Sequence, residues 1–141
     1  VAKNKSEAIY LARESTRLTH GAEESLMYSG IFAEEVWDGR ILPQYVDYRH
    51  PLDIDRDDVS SGGYVKETFQ AAWWAYQTTD SFENCIIEAI NLGDDSDTVG
   101  AVAGMIAGRM YGFDAIPKWM VEGVQWSEHL IDVSKKLVLL N

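Results

Sequence analysis

The sequence predicts an all-α fold, a compact multi-helix bundle in one domain, and three observations lead there. Apolar residues recur at helical spacing along most of the chain, caps and stops punctuate those stretches, and no segment shows the sustained alternation of a strand. The 141 residues, 46% hydrophobic and 11% aromatic, suffice for a sizeable core and exclude global disorder.

The elements follow in order. Ser6 can cap a first helix with Ala8, Leu11 and Ala12 on one face, ending near "RLTHG", where Gly21 supplies a stop. A second helix runs from about Ala22 to Trp37, with Leu26, Gly30, Ala33 and Trp37 at helical spacing. Residues 38–61 hold two prolines and several aspartates without periodicity, a long irregular segment of the kind that often forms part of a binding site. Val65, Phe69, Ala72, Trp73 and Tyr76 then mark a strongly amphipathic helix. Asp80 and Glu83 read as a capping pair for a helix through Phe82, Cys85, Ile86 and Ala89. Another helix covers Val99 to Met110, and Trp126, Leu130, Val133 and Leu137 outline the last.

Charge and cysteine use narrow the function classes. Twelve basic against 23 acidic residues leave a net charge of −11, which repels nucleic acid and anionic membranes and attracts divalent cations. The single cysteine, Cys85, lies in an apolar helical pattern, reads as buried, and suits a reducing compartment. No apolar run reaches the ~20 residues of a membrane span, and the N-terminal stretch has no signal-peptide core, so the expected location is cytoplasmic. A chain that opens on Val1 and goes almost at once into a helix reads as a trimmed protein or a fragment.

The densest information lies in "NLGDDSDTVGAVAGMIAGRMYG", residues 91–112. Gly100, Gly104, Gly108 and Gly112 form one ridge at i±4, so this helix is expected at the bundle centre, in close contact with its neighbours. Each interior glycine costs roughly 1 kcal/mol relative to alanine, which calls for a packing or site-geometry reason. Asp94, Asp95 and Asp97 crowd its N-terminus. One aspartate suffices as a cap; three would repel one another at a buried helix end unless a cation lay among them. Asp95, Asp97 and the Thr98 hydroxyl are hard oxygen donors suited to Mg²⁺, Mn²⁺ or Ca²⁺. Capping and metal binding both remain open on spacing alone.

The run "GGYVKETFQAAWWAYQTTDSFENCIIEAINLGDDSDTVGAVAGMIAGRMYGFDAIPKWM" resembles the C-terminal half of the ADP-ribosylglycohydrolase family, which includes the dinitrogenase reductase-activating glycohydrolases. A Gly-Tyr opening a helix, "TDSFE", "NLGDDSDT", a Gly/Ala helix ending in Tyr-Gly and a later Ile-Pro stand in the family's order, and "TRLTHG" at 16–21 is similar to its Thr-His segment. The resemblance implies an orthogonal helical bundle and a binuclear site, usually magnesium or manganese, that hydrolyses the glycosidic bond joining ADP-ribose to a protein side chain or small molecule. It assigns Asp95, Asp97 and Thr98 to the metal, His20 to the substrate cleft and Tyr64 to stacking on adenine. "SSGG" at 60–63, with Ser61, Gly62 and Gly63 leading into a helix, is a plausible N–H cradle for the diphosphate. By their residue type alone, His20 would be a helix-terminal histidine, Tyr64 an ordinary aromatic, and Trp73 and Trp74 core and flank.

The family's second metal motif, a Thr-Asp-Asp-Thr run in its N-terminal half, has no match here; "DRDDVS" at 55–60 is in the wrong place. The chain therefore reads as a single all-helical domain, 1–141, carrying half of a binuclear site. Three readings compete: the C-terminal piece of an enzyme completed by an N-terminal half or a second copy, a shortened homologue that binds ADP-ribose or metal without turnover, and a structural or assembly protein. The catalytic residues themselves are not identifiable. The 38–61 segment is the expected determinant of which linkage is cleaved.

Overall fold

A computed structural model describes residues 2–41 and 53–139; residues 42–52 of the irregular 38–61 segment lie outside the described residues. Those residues form seven α-helices and no strand: α1 (Lys5–Arg17), α2 (Glu23–Asp38), α3 (Val65–Gln77), α4 (Phe82–Asn91), α5 (Ser96–Tyr111), α6 (Lys118–Gly123) and α7 (Ser127–Leu139). The expected all-α class holds, and none of these helices is long and apolar enough to cross a membrane.

Helices α1 and α2 form a hairpin. Asn4, not Ser6, caps α1: its backbone is extended and Oδ1 accepts the Glu7 N–H at 2.9 Å. Its end is at Leu18 rather than Gly21, because the Leu18 N–H still bonds back to the last turn. Gly30 sets the closeness of the pair, since a Cβ there would lie 3.3 Å from Arg13 Cδ and 3.5 Å from Ile9 Cγ2. Lys5 Nζ reaches Glu34 at 3.3 Å and Asp38 at 3.2 Å across the far end of the hairpin. The buried face of α2 is Leu26, Tyr28, Gly30, Ile31 and the carboxylate residue Glu35; Trp37, expected on it, is 41% exposed because the helix ends one residue later and Gly39, at φ 70°, turns the chain away.

The most enclosed helix is α3, where five consecutive residues, Ala71 to Ala75, are buried. Two are tryptophans, so the bundle's largest side chains fill the gap between α2 on one side and α4 and α5 on the other. Phe69 meets the Tyr28 ring at 5.3 Å and the Phe32 ring edge-on at 6.4 Å. Trp74 Nε1 donates to the Ile54 carbonyl at 2.9 Å, which ties the segment before α3 to the core.

The glycine ridge has a specific partner. A Cβ at Gly100 would meet Ile90 Cγ2 at 3.0 Å, one at Gly104 would meet Ile86 Cδ1 at 3.6 Å, and one at Gly108 would meet Phe82 Cε2 at 4.0 Å. Positions rise by four along α5 as they fall by four along α4, so two antiparallel i±4 ridges interlock. Gly112 is not part of the ridge; at φ 81° it ends α5. Nor is α5 enclosed all round, as expected of a central helix: Val99, Ala103, Ile106 and Ala107 are buried, whereas Ala101, Met105 and Arg109 are exposed. Ser81, not the Asp80/Glu83 pair, caps α4 by accepting the Asn84 N–H; Asp80 instead accepts from the Asn84 side chain at 3.0 Å.

Beyond Gly112 packing thins. No residue of α6 or α7 is buried, and Leu130, Val133 and Leu137, whose spacing outlines the last helix in the sequence, are each 37% exposed or more. Trp126, at 80% exposed with φ 61°, lies outside the helix it was expected to start.

Candidate functional site

The site is built where the segment before α3 crosses the α4–α5 turn. Arg56 Nε donates to Glu88 Oε1 at 2.6 Å and its Nη2 to the Asn91 carbonyl at 3.1 Å, anchoring the segment to the end of α4. Gly93 at φ 90° and Asp94 at φ 46° make the turn; aspartate is among the few non-glycine residues that accept this left-handed region readily. The Asp95 N–H then donates to the Ser61 carbonyl at 3.1 Å, and Thr68 Oγ1 to the Gly62 carbonyl at 3.2 Å. Ser61 is buried. A Cβ at Gly63 would come within 3.2 Å of Asp95 Oδ2, so a side chain here would crowd that carboxylate.

Asp95 occupies the N-cap position of α5 without capping it: its side chain takes no backbone N–H and accepts Thr98 Oγ1 at 3.0 Å. The expectation of buried aspartates fails. Asp94, Asp97 and Thr98 are exposed and Asp95 is half-buried, because α5 begins at the surface of the described bundle. Among the described residues no three His, Cys, Asp or Glu side chains gather into a potential metal cluster. Asp95, Asp97 and Thr98 nonetheless fit a hard cation by donor type, as an incomplete set whose remaining positions other groups or water would fill.

Next to this turn opens a cleft of about 500 Å³. One wall is the end of α1 and the start of α2, with Thr16, His20 and Glu24; the other is Gly63, Tyr64 and the α5 residues Thr98, Val102 and Met105. Tyr28, Phe32 and Phe69 make its interior aromatic. Tyr64 OH donates to Glu24 Oε1 at 2.5 Å, a bond that pushes the Tyr64 hydroxyl up to about 12 because ionisation would set two negative charges side by side. His20 Nδ1 lies 2.9 Å from Thr19 Oγ1.

Four of the residues singled out from sequence, His20, Gly63, Tyr64 and Thr98, thus line one cleft despite lying up to 78 positions apart (98 − 20). Asp95 adjoins it through Gly63 and Thr98. Ser61 and Gly62 serve through backbone carbonyls that hold the segment in place, and Asp97 does not line the cleft. Sequence reasoning missed Glu24, Tyr28 and Phe32. A signal existed, since they follow one another at i, i+4 and i+8 and so share a face of α2.

Comparison with known proteins identifies the family. The family model described as ADP-ribosylglycohydrolase matches residues 1–141. The ADP-ribosylarginine hydrolase Tri1 of Pseudomonas putida is 43% identical over 82 residues, 58% of this chain and 22% of the relative. The ADP-ribosyl-[dinitrogen reductase] glycohydrolase of Rhodospirillum rubrum is 46% identical over 61 residues, 43% of this chain and 21% of the relative. A solved structure titled "ADP-ribosylglycohydrolase-related protein complex" superposes with a TM-score of 0.70 at 31% identity, covering 86% of this chain and 49% of its own. The chain therefore matches about half of that structure and about a fifth of those two relatives.

Proposed function

The chain belongs to the ADP-ribosylglycohydrolase family, and on that premise we propose that it takes part in metal-dependent removal of ADP-ribose from modified proteins or small molecules. It contributes the C-terminal half of the site. The observation that carries this reading is the convergence of His20, Gly63, Tyr64 and Thr98 on one cleft, with Asp95 against its glycine lip.

The electrostatics explain why a cation belongs to the reading. Gly62 and Gly63 lead into α3, whose N-terminal dipole end favours an anion such as a diphosphate. Yet the Asp95 carboxylate lies beside Gly63 on a protein of net charge −11, and alone it would repel that anion. Asp95, Asp97 and Thr98 would hold Mg²⁺ or Mn²⁺, which would supply the missing positive charge and the Lewis acidity for hydrolysis. The chain's own residues do the rest of the binding: Tyr64 offers a ring face to the adenine, the aromatic interior receives apolar ligand surface, and His20 stands on the opposite wall as a donor or acceptor.

Incubation with an ADP-ribosylated protein and Mg²⁺ tests the reading. The chain alone is expected to bind ADP-ribose and release none, with release appearing when a polypeptide supplying the family's N-terminal half is added. Turnover by the 141-residue chain alone would overturn the half-site, and absence of both Mg²⁺ and ADP-ribose binding in calorimetry would leave only a structural role.

A further inference from the structure

Tyr64 stands just before α3 with an extended backbone, and its ring is 47% exposed at the lip of the cleft. A ring this open has little packing to hold it in one rotamer. Its hydroxyl is tethered, however, to a residue 40 positions earlier in the chain, in the first turn of α2 on the facing wall. The Tyr64–Glu24 bond therefore bridges two elements that have no covalent reason to keep a fixed separation. It is charge-assisted, the stronger class of hydrogen bond.

We propose that Glu24 is a positioning residue: it holds the Tyr64 ring across the mouth of the cleft in the orientation that stacks on the planar base of the ligand, and so sets affinity for that base. The inference rests on the cleft binding an adenine nucleotide. Stacking on a ring already held in place forfeits less conformational freedom than stacking on a free one, so the tether acts on binding without touching the ligand. Glu24 and Tyr28 are one turn apart on α2, so both lie on the face of the helix that lines the cleft.

Equilibrium dialysis of the full chain with AMP and with ribose 5-phosphate, both in Mg²⁺, provides the test. Glu24→Ala and Tyr64→Phe are each expected to weaken AMP binding about three- to tenfold, with the double variant no weaker than either single one. Glu24→Gln, which retains an acceptor oxygen, should lie close to wild type, and Tyr64→Ala should lose about tenfold or more through the stacking itself. Ribose 5-phosphate, which has no base, should bind wild type and all five variants alike. Equal weakening of both ligands would mean general loosening and would overturn the proposal. Loss of AMP by Tyr64→Ala with wild-type binding by Glu24→Ala and Tyr64→Phe would remove the tether's role and leave the cleft assignment standing. No saturable AMP binding by the wild type would remove both.

Discussion

Asp95→Ala separates a metal ligand from a helix cap, because the geometry gives the two roles different costs. A side-chain N-cap is worth about 0.5–2 kcal/mol, but the Asp95 side chain accepts only the Thr98 hydroxyl, at 3.0 Å and at the surface. Losing that bond and a negative charge near the dipole's positive end costs about 1 kcal/mol together, or ~3 °C in Tm. The backbone bond from Asp95 to Ser61 survives the substitution. If Asp95 holds a cation, Mn²⁺ affinity should fall at least ~10-fold, since even an outer partner of a metal ligand is worth about 10–100-fold. Asp95→Asn, which keeps an oxygen for Thr98, should lose the same affinity at still smaller cost in stability. Mn²⁺ titration followed by electron paramagnetic resonance, beside urea unfolding of the same samples, reads both quantities. Unchanged Mn²⁺ affinity with a stability loss of about 2 kcal/mol or more would refute the argument in favour of capping.

Gly104→Ala should stabilise the protein by up to about 1 kcal/mol, because its Cβ meets Ile86 at an ordinary 3.6 Å while helix propensity improves; Gly100→Ala, at 3.0 Å from Ile90 Cγ2, should gain less or lose, and denaturant midpoints compare the two. Burial pushes the Cys85 thiol up from 9.0 to about 11, so the native state keeps a proton that the unfolded chain releases; stability is complete below pH 9 and declines as pH rises from about 9 to about 11, a decline that Cys85→Ala should flatten in unfolding curves. The same burial predicts that thiol reagents modify Cys85 only after denaturant is added. The exposed apolar residues of α7 should bind a hydrophobic dye and drive dimers or aggregation; a dye-silent monomer at high protein concentration would contradict the half-fold account.

The sequence exposed the helices wherever one face was continuously apolar, and the surprises have local causes. Periodicity found α3 but not that Ala71 and Ala75, off its apolar stripe, would be covered, because burial of Ala71 to Ala75 comes from three other helices as well as from its own pattern. Caps were the least legible: Asn4 and Ser81 compete with Ser6 and Asp80 only a residue or two away, and which one takes an extended backbone depends on how the chain enters the helix. The spacing that outlines α7 marks a helix without saying whether it is covered, since a periodic apolar face seeks cover and this chain does not supply it. Of the site, Tyr64 and Thr98 were legible through a family pattern, whereas Glu24 required knowing that the start of α2 faces the start of α3.

The interlocked ridges of α4 and α5 also act as a ratchet with one permitted setting. Sliding one helix along the other to the next fit would take four residues, ~6 Å of travel, and would drag the Gly93–Asp94 turn with it. Phe82 against Gly108, at the end of the pair remote from that turn, thus helps set the height at which Asp95 stands beside Gly63. Precision at the cleft is a property of the whole length of the pair, and a bulky side chain two turns away from Asp95 would be felt there as a change of gauge.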